Sequence, residues 1–143
     1  MRLKKIVFAT DFSTNCEPAR ELATSLARDG GAMMFIVHVV DRPFEDLAAC
    51  GDQSAEATDA GRQLSRTQPT DPDVGYAQRL LTGPPPDAIA RFADEHDADL
   101  IVIGSHGRTG GMRVLLGSVA ETLMRRAKCS VLTVKPASPV VLA

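Results

Sequence analysis

The sequence predicts an α/β fold built as a single doubly wound, mostly parallel five-stranded sheet covered by four helices. Three observations lead there. Apolar runs of strand length recur at Lys5-Ile6-Val7-Phe8-Ala9, at residues 33–40, at Leu100-Ile101-Val102-Ile103 and at Ser130-Val131-Leu132-Thr133-Val134, continuous rather than alternating, as strands buried on both faces require. Stripes of helical period separate these runs. At 143 residues, with 44% apolar and 24% charged residues, the chain is sized for one domain, residues 1–143, with its own core.

Taken in order, the first strand covers 5–9. The helix after it carries Ala19, Leu22, Ala23, Leu26 and Ala27 on one stripe, with Thr14 and Glu17 spaced as a capping box and Gly30-Gly31 as the stop. The second strand is 33–40. Residues 41–74 are polar and interrupted by Pro69 and Pro72, and read as a helix near 54–66 followed by loop. A weaker strand spans 76–81. Pro84-Pro85-Pro86 open the next helix, whose stripe is Ile89, Phe92, Ala93 and His96. The fourth strand precedes a glycine-rich stretch, and Val119, Ala120, Leu123, Met124 and Ala127 mark the last helix before the fifth strand.

The net charge of −2 supplies no field for nucleic acid. The basic start is followed by only four apolar residues, Ile6 to Ala9, and the longest apolar run is broken by His38, so neither a secretory leader nor a membrane span is expected and the predicted address is cytoplasmic. Cys16, Cys50 and Cys129 are odd in number and lack a CxxC pattern, which reads as reduced thiols rather than a disulfide framework or zinc site.

In doubly wound sheets, ligands bind beyond the carboxyl ends of the strands, where the strand order reverses. With the order 3-2-1-4-5, the loop Thr10-Asp11-Phe12-Ser13 and the loop from Gly104 onward flank one crevice. Gly104, Gly107, Gly117 and Ser118 fall in the spacing G-x2-G-x9-G-S. Glycines there let a ligand approach main-chain N–H groups, and Gly117-Ser118 places a helix start with its unpaired donors against an anion. No Walker lysine and no GxGxxG follow a strand, so the negative charge is met otherwise, with Arg108 and Arg113 in the loop itself.

These segments, together with His38-Val39-Val40-Asp41 and Ala98-Asp99 before the fourth strand, resemble the universal stress protein family, in its ATP-binding branch, over nearly the whole chain. The resemblance implies a Rossmann-like, adenine nucleotide alpha hydrolase-like sheet, ATP as ligand, and a homodimer joined along the last strand through Val131, Leu132, Thr133 and Val134. It implies further that Thr10 and Asp11 meet the ribose or a Mg2+-phosphate group, with Asp11 and Ser118 as metal contacts. Val39 and Ile103 would line the base, while Gly104, His106, Gly107 and Arg108 would surround ribose and phosphates, and Gly117, Ser118 and Val119 would donate to the phosphates. Ala9 and Ala120 stand where some ATP-binding members carry proline and a hydroxyl residue.

Plainer roles stand beside these. Ser118 and Glu121 also spell a capping box, Asp11 can simply start a turn with Ser13 and Thr14, His106 can be a loop histidine without catalytic duty, and His38 reads as a satisfied core residue. Three functions fit: an ATP-binding regulator acting on an unidentified protein partner, a slow ATPase or group-transfer enzyme, and an interaction module that binds no nucleotide. No nucleophile motif or general base is placed by the sequence, which leaves the enzyme reading without a catalytic residue.

Overall fold

A computed structural model describes residues 2–41, 55–105 and 117–136. The element order is β1 (Lys5–Ala9), a 3-10 turn (Thr14–Cys16), α1 (Glu17–Gly30), β2 (Met33–Asp41), α2 (Ala55–Ser65), β3 (Tyr76–Gly83), α3 (Pro85–Glu95), β4 (Leu100–Gly104), α4 (Ser118–Arg126) and β5 (Ser130–Val134). All strand pairs are parallel and the order is β3-β2-β1-β4-β5. The predicted fold class and strand order are the observed ones.

The continuous apolar runs follow from the layering. Along β1, Ile6 and Phe8 point into the core beneath α1 and α2, whereas Val7 and Ala9 point into the core shared with α3 and α4. Both faces of the strand are covered, so Ile6, Val7 and Phe8 are all fully buried and each stabilises the fold by about 1.5–3 kcal/mol. Truncating Phe8 would open the first core at its centre. The register sets Val7 beside Phe35 of β2 and Ile101 of β4.

Helix α1 packs its small residues Ala19, Ala23 and Ala27 against the sheet, together with Thr24. Thr24 tolerates burial because its hydroxyl donates to the Arg20 carbonyl (2.8 Å) and accepts from the Thr70 N–H (3.2 Å). Leu22, expected on the stripe, lies outside it and is exposed. The helix ends as expected: Gly31 takes φ +65°, and the bonds from Ala32 N–H to Ala27 O and from Gly31 N–H to Arg28 O form a Schellman stop.

The helix start differs from expectation. The Thr14-Glu17 capping box does not form. Thr14 lies in the 3-10 turn, Cys16 is the cap residue but its side chain does not cap the helix, and the Glu17 carboxylate instead meets Arg20.

Helix α3 begins on Pro84, with proline in its first turn and Ile89, Phe92 and Ala93 buried. Helix α4 buries Ala120 and Leu123 but leaves Met124 exposed, at the far side of its stripe. Ion pairs Arg126–Asp87 and Lys128–Asp94 tie the end of α4 and the residues just after it to the exposed flank of α3 and contribute at most about 1 kcal/mol each. Among the described residues, no helix is long and apolar enough to cross a membrane.

Candidate functional site

A cavity of about 650 Å3 opens at the carboxyl ends of β1, β2 and β4. Its position follows from the strand order: the chain leaves β1 towards α1 on one face and leaves β4 towards α4 on the other, so the two exits diverge and leave a crevice.

The β1 exit is the most constrained wall. Thr10 continues the ladder through its N–H to the Val37 carbonyl (3.0 Å) and is buried. Its hydroxyl accepts from the Phe12 N–H (3.0 Å), which bends the chain back. Phe12 then adopts φ +66°, a region uncommon for a bulky residue. Asp11 uses Oδ1 for two donors, the Ser13 N–H (2.9 Å) and the Cys16 thiol (3.0 Å). Burial, the larger effect, holds the Cys16 thiol above its usual pKa and so keeps it a donor at neutral pH. The turn that the sequence offered as a plain role for Asp11 is therefore formed, and it also fixes the carboxylate on the cavity wall.

Strand β2 contributes Val39 and Asp41, and also His38. His38 is only half-buried, between the buried Ile36 and Val40 on the same face, and it lines the cavity. Its Nδ1 lies 2.7 Å from the Thr10 carbonyl and its ring packs on Phe12 with centroids 4.2 Å apart. The core assignment from the sequence is thus corrected: His38 is a wall residue. Helix α2 supplies Asp59 and Gln63, joined by a bond of 3.1 Å, and α3 supplies Pro85 and Ile89.

The opposite wall holds Ile103 and Gly104 of β4 and the start of α4, Gly117, Ser118, Val119 and Ala120. Gly117 is the cap residue, and the first intrahelical bond runs from Glu121 N–H to Gly117 O. Ser118 consequently sits one position inside the helix, and the Ser118-Glu121 capping box is absent; the Glu121 carboxylate pairs with Arg125 on the outer face. The N–H groups of Ser118, Val119 and Ala120 belong to the first turn, which has no intrahelical acceptor for them, and they carry the positive end of the helix dipole to the cavity wall.

Thr10, Asp11, Val39, Ile103, Gly104, Gly117, Ser118 and Val119 are therefore brought together around one space. His106, Gly107, Arg108 and Arg113 lie outside the described residues. Among the described wall residues the formal charges are the carboxylates of Asp11, Asp41 and Asp59, with no Lys or Arg. No group of three or more His, Cys, Asp or Glu side chains among the described residues forms a metal cage.

Residues 2–135 match the sequence profile of the universal stress protein family. The chain belongs to the universal stress protein family. It is 36% identical to universal stress protein MJ0531 of Methanocaldococcus jannaschii, an alignment covering 92% of this chain and 82% of that protein. Among solved structures, it is similar to the universal stress protein from Archaeoglobus fulgidus in complex with dAMP, at 30% identity and a TM-score of 0.72, covering 94% of this chain and 100% of that one. It is also similar to a universal stress protein in complex with cAMP, at 27% identity and a TM-score of 0.65, covering 96% and 100%.

Cys16, Asp59 and Gln63 are wall residues outside every segment that carried the family resemblance, whereas Phe12 and His38 lie inside such segments without having been given a place at the site. One signal for His38 was present: it is the one polar side chain within residues 33–40, and it stands near the strand's carboxyl end.

Proposed function

We propose that the cavity binds an adenine nucleotide, ATP with Mg2+, and that this universal stress protein is a cytoplasmic regulator whose nucleotide occupancy alters the surface offered to a protein partner. The observation that carries the reading is the first turn of α4 lining a crevice at the switch point of the sheet, an arrangement whose backbone donors suit a phosphate chain. The relatives in complex with dAMP and cAMP support an adenine nucleotide as the ligand class.

In this reading Val39 and Ile103 flank the base, Gly104 and Gly107 approach the ribose and phosphates, and Gly117, Ser118 and Val119 donate to the phosphates. His106, Arg108 and Arg113 supply further donors. Asp11 and Ser118 give Mg2+ a carboxylate and a hydroxyl, with the remaining sites filled by phosphate oxygens and water, which suits an ion that keeps much of its hydration. The three carboxylates of the described wall make free ATP a poor guest and favour the metal complex.

Titration calorimetry with ATP and Mg2+ tests this. Gly117 has φ −60° and ψ 153°, which any residue adopts, so Gly117→Val probes space at the phosphates rather than backbone strain. One-to-one binding by the native chain and its loss in Gly117→Val support the reading; absence of binding by nucleotide-free native chain overturns it.

Strand β5 supports a second proposal, a homodimer. It is an edge of the sheet, with Val131, Leu132, Thr133 and Val134 half-buried and its outer side without a partner strand among the described residues. Light scattering that returns the 15.2 kDa mass of one chain at low micromolar concentration would overturn it.

A further inference from the structure

The wall holds one side chain that touches the chain on both sides of Asp11. The His38 ring reaches from β2 to the carbonyl of Thr10, the residue before Asp11, and packs on the ring of Phe12, the residue after it. A carbonyl oxygen only accepts, so the 2.7 Å contact requires the hydrogen on Nδ1. Phe12 meanwhile stands at φ +66°, where its Cβ crowds its own backbone, and such a conformation persists only when its surroundings over-determine it. The turn's own bonds, Phe12 N–H to Thr10 Oγ1 and Ser13 N–H to Asp11 Oδ1, account for the bend. They leave the direction of the Phe12 ring to be set from outside, and the imidazole sets it with centroids at 4.2 Å and planes at 31°.

We infer that His38 is a positioning residue for the nucleotide site: its Nδ1–H on the Thr10 carbonyl and its ring on Phe12 hold the 10–13 turn in the strained form that presents Asp11 to the ligand. This rests on the nucleotide reading above. His38 itself carries out no chemistry on the ligand; it fixes where the carboxylate stands. Thr10, Phe12 and Gln63 also line a second hollow of about 220 Å3 between α1 and α2, so a Phe12 ring released from His38 has space to swing towards Arg20 and Arg66. If the Phe12 φ relaxes from +66° with that swing, the backbone on its two sides reorients and Asp11 moves with it.

Three variants separate the contacts. His38→Asn keeps an N–H near the place of Nδ1, His38→Gln moves the donor outward, and His38→Phe keeps a ring without a donor. In the native chain, nitrogen NMR should show the hydrogen on Nδ1, and Phe12 should give the strong intraresidue amide–Hα NOE that marks a positive φ. His38→Phe and His38→Gln should weaken ATP–Mg2+ binding by about tenfold, with Phe12 losing that NOE, while His38→Asn, which keeps the donor but not the ring, should recover part of both. Melting temperatures of the three variants should agree within a few degrees, which distinguishes a positioning loss from unfolding. A bare Nδ1 in the native chain would overturn the inference, as would His38→Phe with native affinity and an unchanged Phe12 signal. Should the native chain bind no adenine nucleotide, the nucleotide reading fails by itself, and the Nδ1 and Phe12 signals still decide whether His38 holds the turn.

Discussion

Two aspartates at opposite ends of the sheet use the same chemistry for different ends. At the amino end, Asp99 Oδ2 accepts from the N–H groups of Lys4 (2.8 Å) and Lys5 (3.0 Å), and its own N–H bonds the Lys5 carbonyl, so β1 and β4 are joined where both begin. At the carboxyl end, Asp11 Oδ1 accepts from the Ser13 N–H and the Cys16 thiol. The first carboxylate satisfies donors that open a ladder. The second anchors a turn beside a cavity, next to Phe12 at positive φ and under the His38 ring. Each carboxylate accepts two donors through one oxygen, and the position in the sheet sets one at the opening of a ladder and the other on a cavity wall.

The sharpest way to break this comparison is to exchange the losses. Asp11→Ala should weaken ATP–Mg2+ binding by about tenfold to a hundredfold, the scale of hydrogen bonds to a charged group, with a smaller change in melting temperature. Calorimetry and a thermal melt on the same protein check it. If stability collapses and affinity holds, the roles of the two ends are reversed.

Asp99→Ala should do the opposite, lowering the urea midpoint while leaving nucleotide affinity within about twofold. Asp99 also carries a pH signature. The N–H bonds from Lys4, then from Lys5, hold its carboxyl below the ordinary value of 3.8. A carboxylate with a depressed folded-state pKa contributes stability that is present above the unfolded value and is lost as pH falls through the folded one. Asp99→Asn, which keeps an acceptor but not the charge, should therefore flatten the acid limb of stability below about pH 4, as read by urea midpoints across that range.

The smallest effect belongs to Cys16. Because burial raises its pKa, and does so chiefly by desolvation, the thiol stays protonated and donates to Asp11. Cys16→Ser should retain that bond and shift nucleotide affinity by less than about threefold, whereas Cys16→Val should lose about as much as one neutral hydrogen bond contributes, about 1 kcal/mol. Alkylation followed by peptide mass spectrometry should label the half-buried Cys129 before Cys16.

Much of this fold is legible in the sequence, because strands covered on both faces leave unbroken apolar runs and helices between them leave stripes. The strand order then brings the Asp11 and Gly104 loops to one crevice. What stayed hidden depends on depth rather than period. Leu22 and Met124 keep the helical spacing yet lie beyond the sheet's reach, while Thr24 is buried because a neighbouring carbonyl accepts its hydroxyl hydrogen. Capping boxes were spelled twice and formed neither time: Glu17 and Glu121 each found an arginine, Arg20 and Arg125, on the same helix. His38 looked like core because its neighbours in sequence are core, although the cavity opens beside it.

The buried Ser105 donates its N–H to the Val134 carbonyl (2.9 Å) and accepts from the Gly117 N–H (2.6 Å), so the chain leaves and re-enters the fold at a single residue. Doubling the length of the segment closed there would add only about 0.6 kcal/mol of closure entropy. Replacing residues 106–116, which hold Arg108, Arg113 and three glycines, by a longer segment should therefore cost the five-stranded sheet little, whatever it does to the ligand.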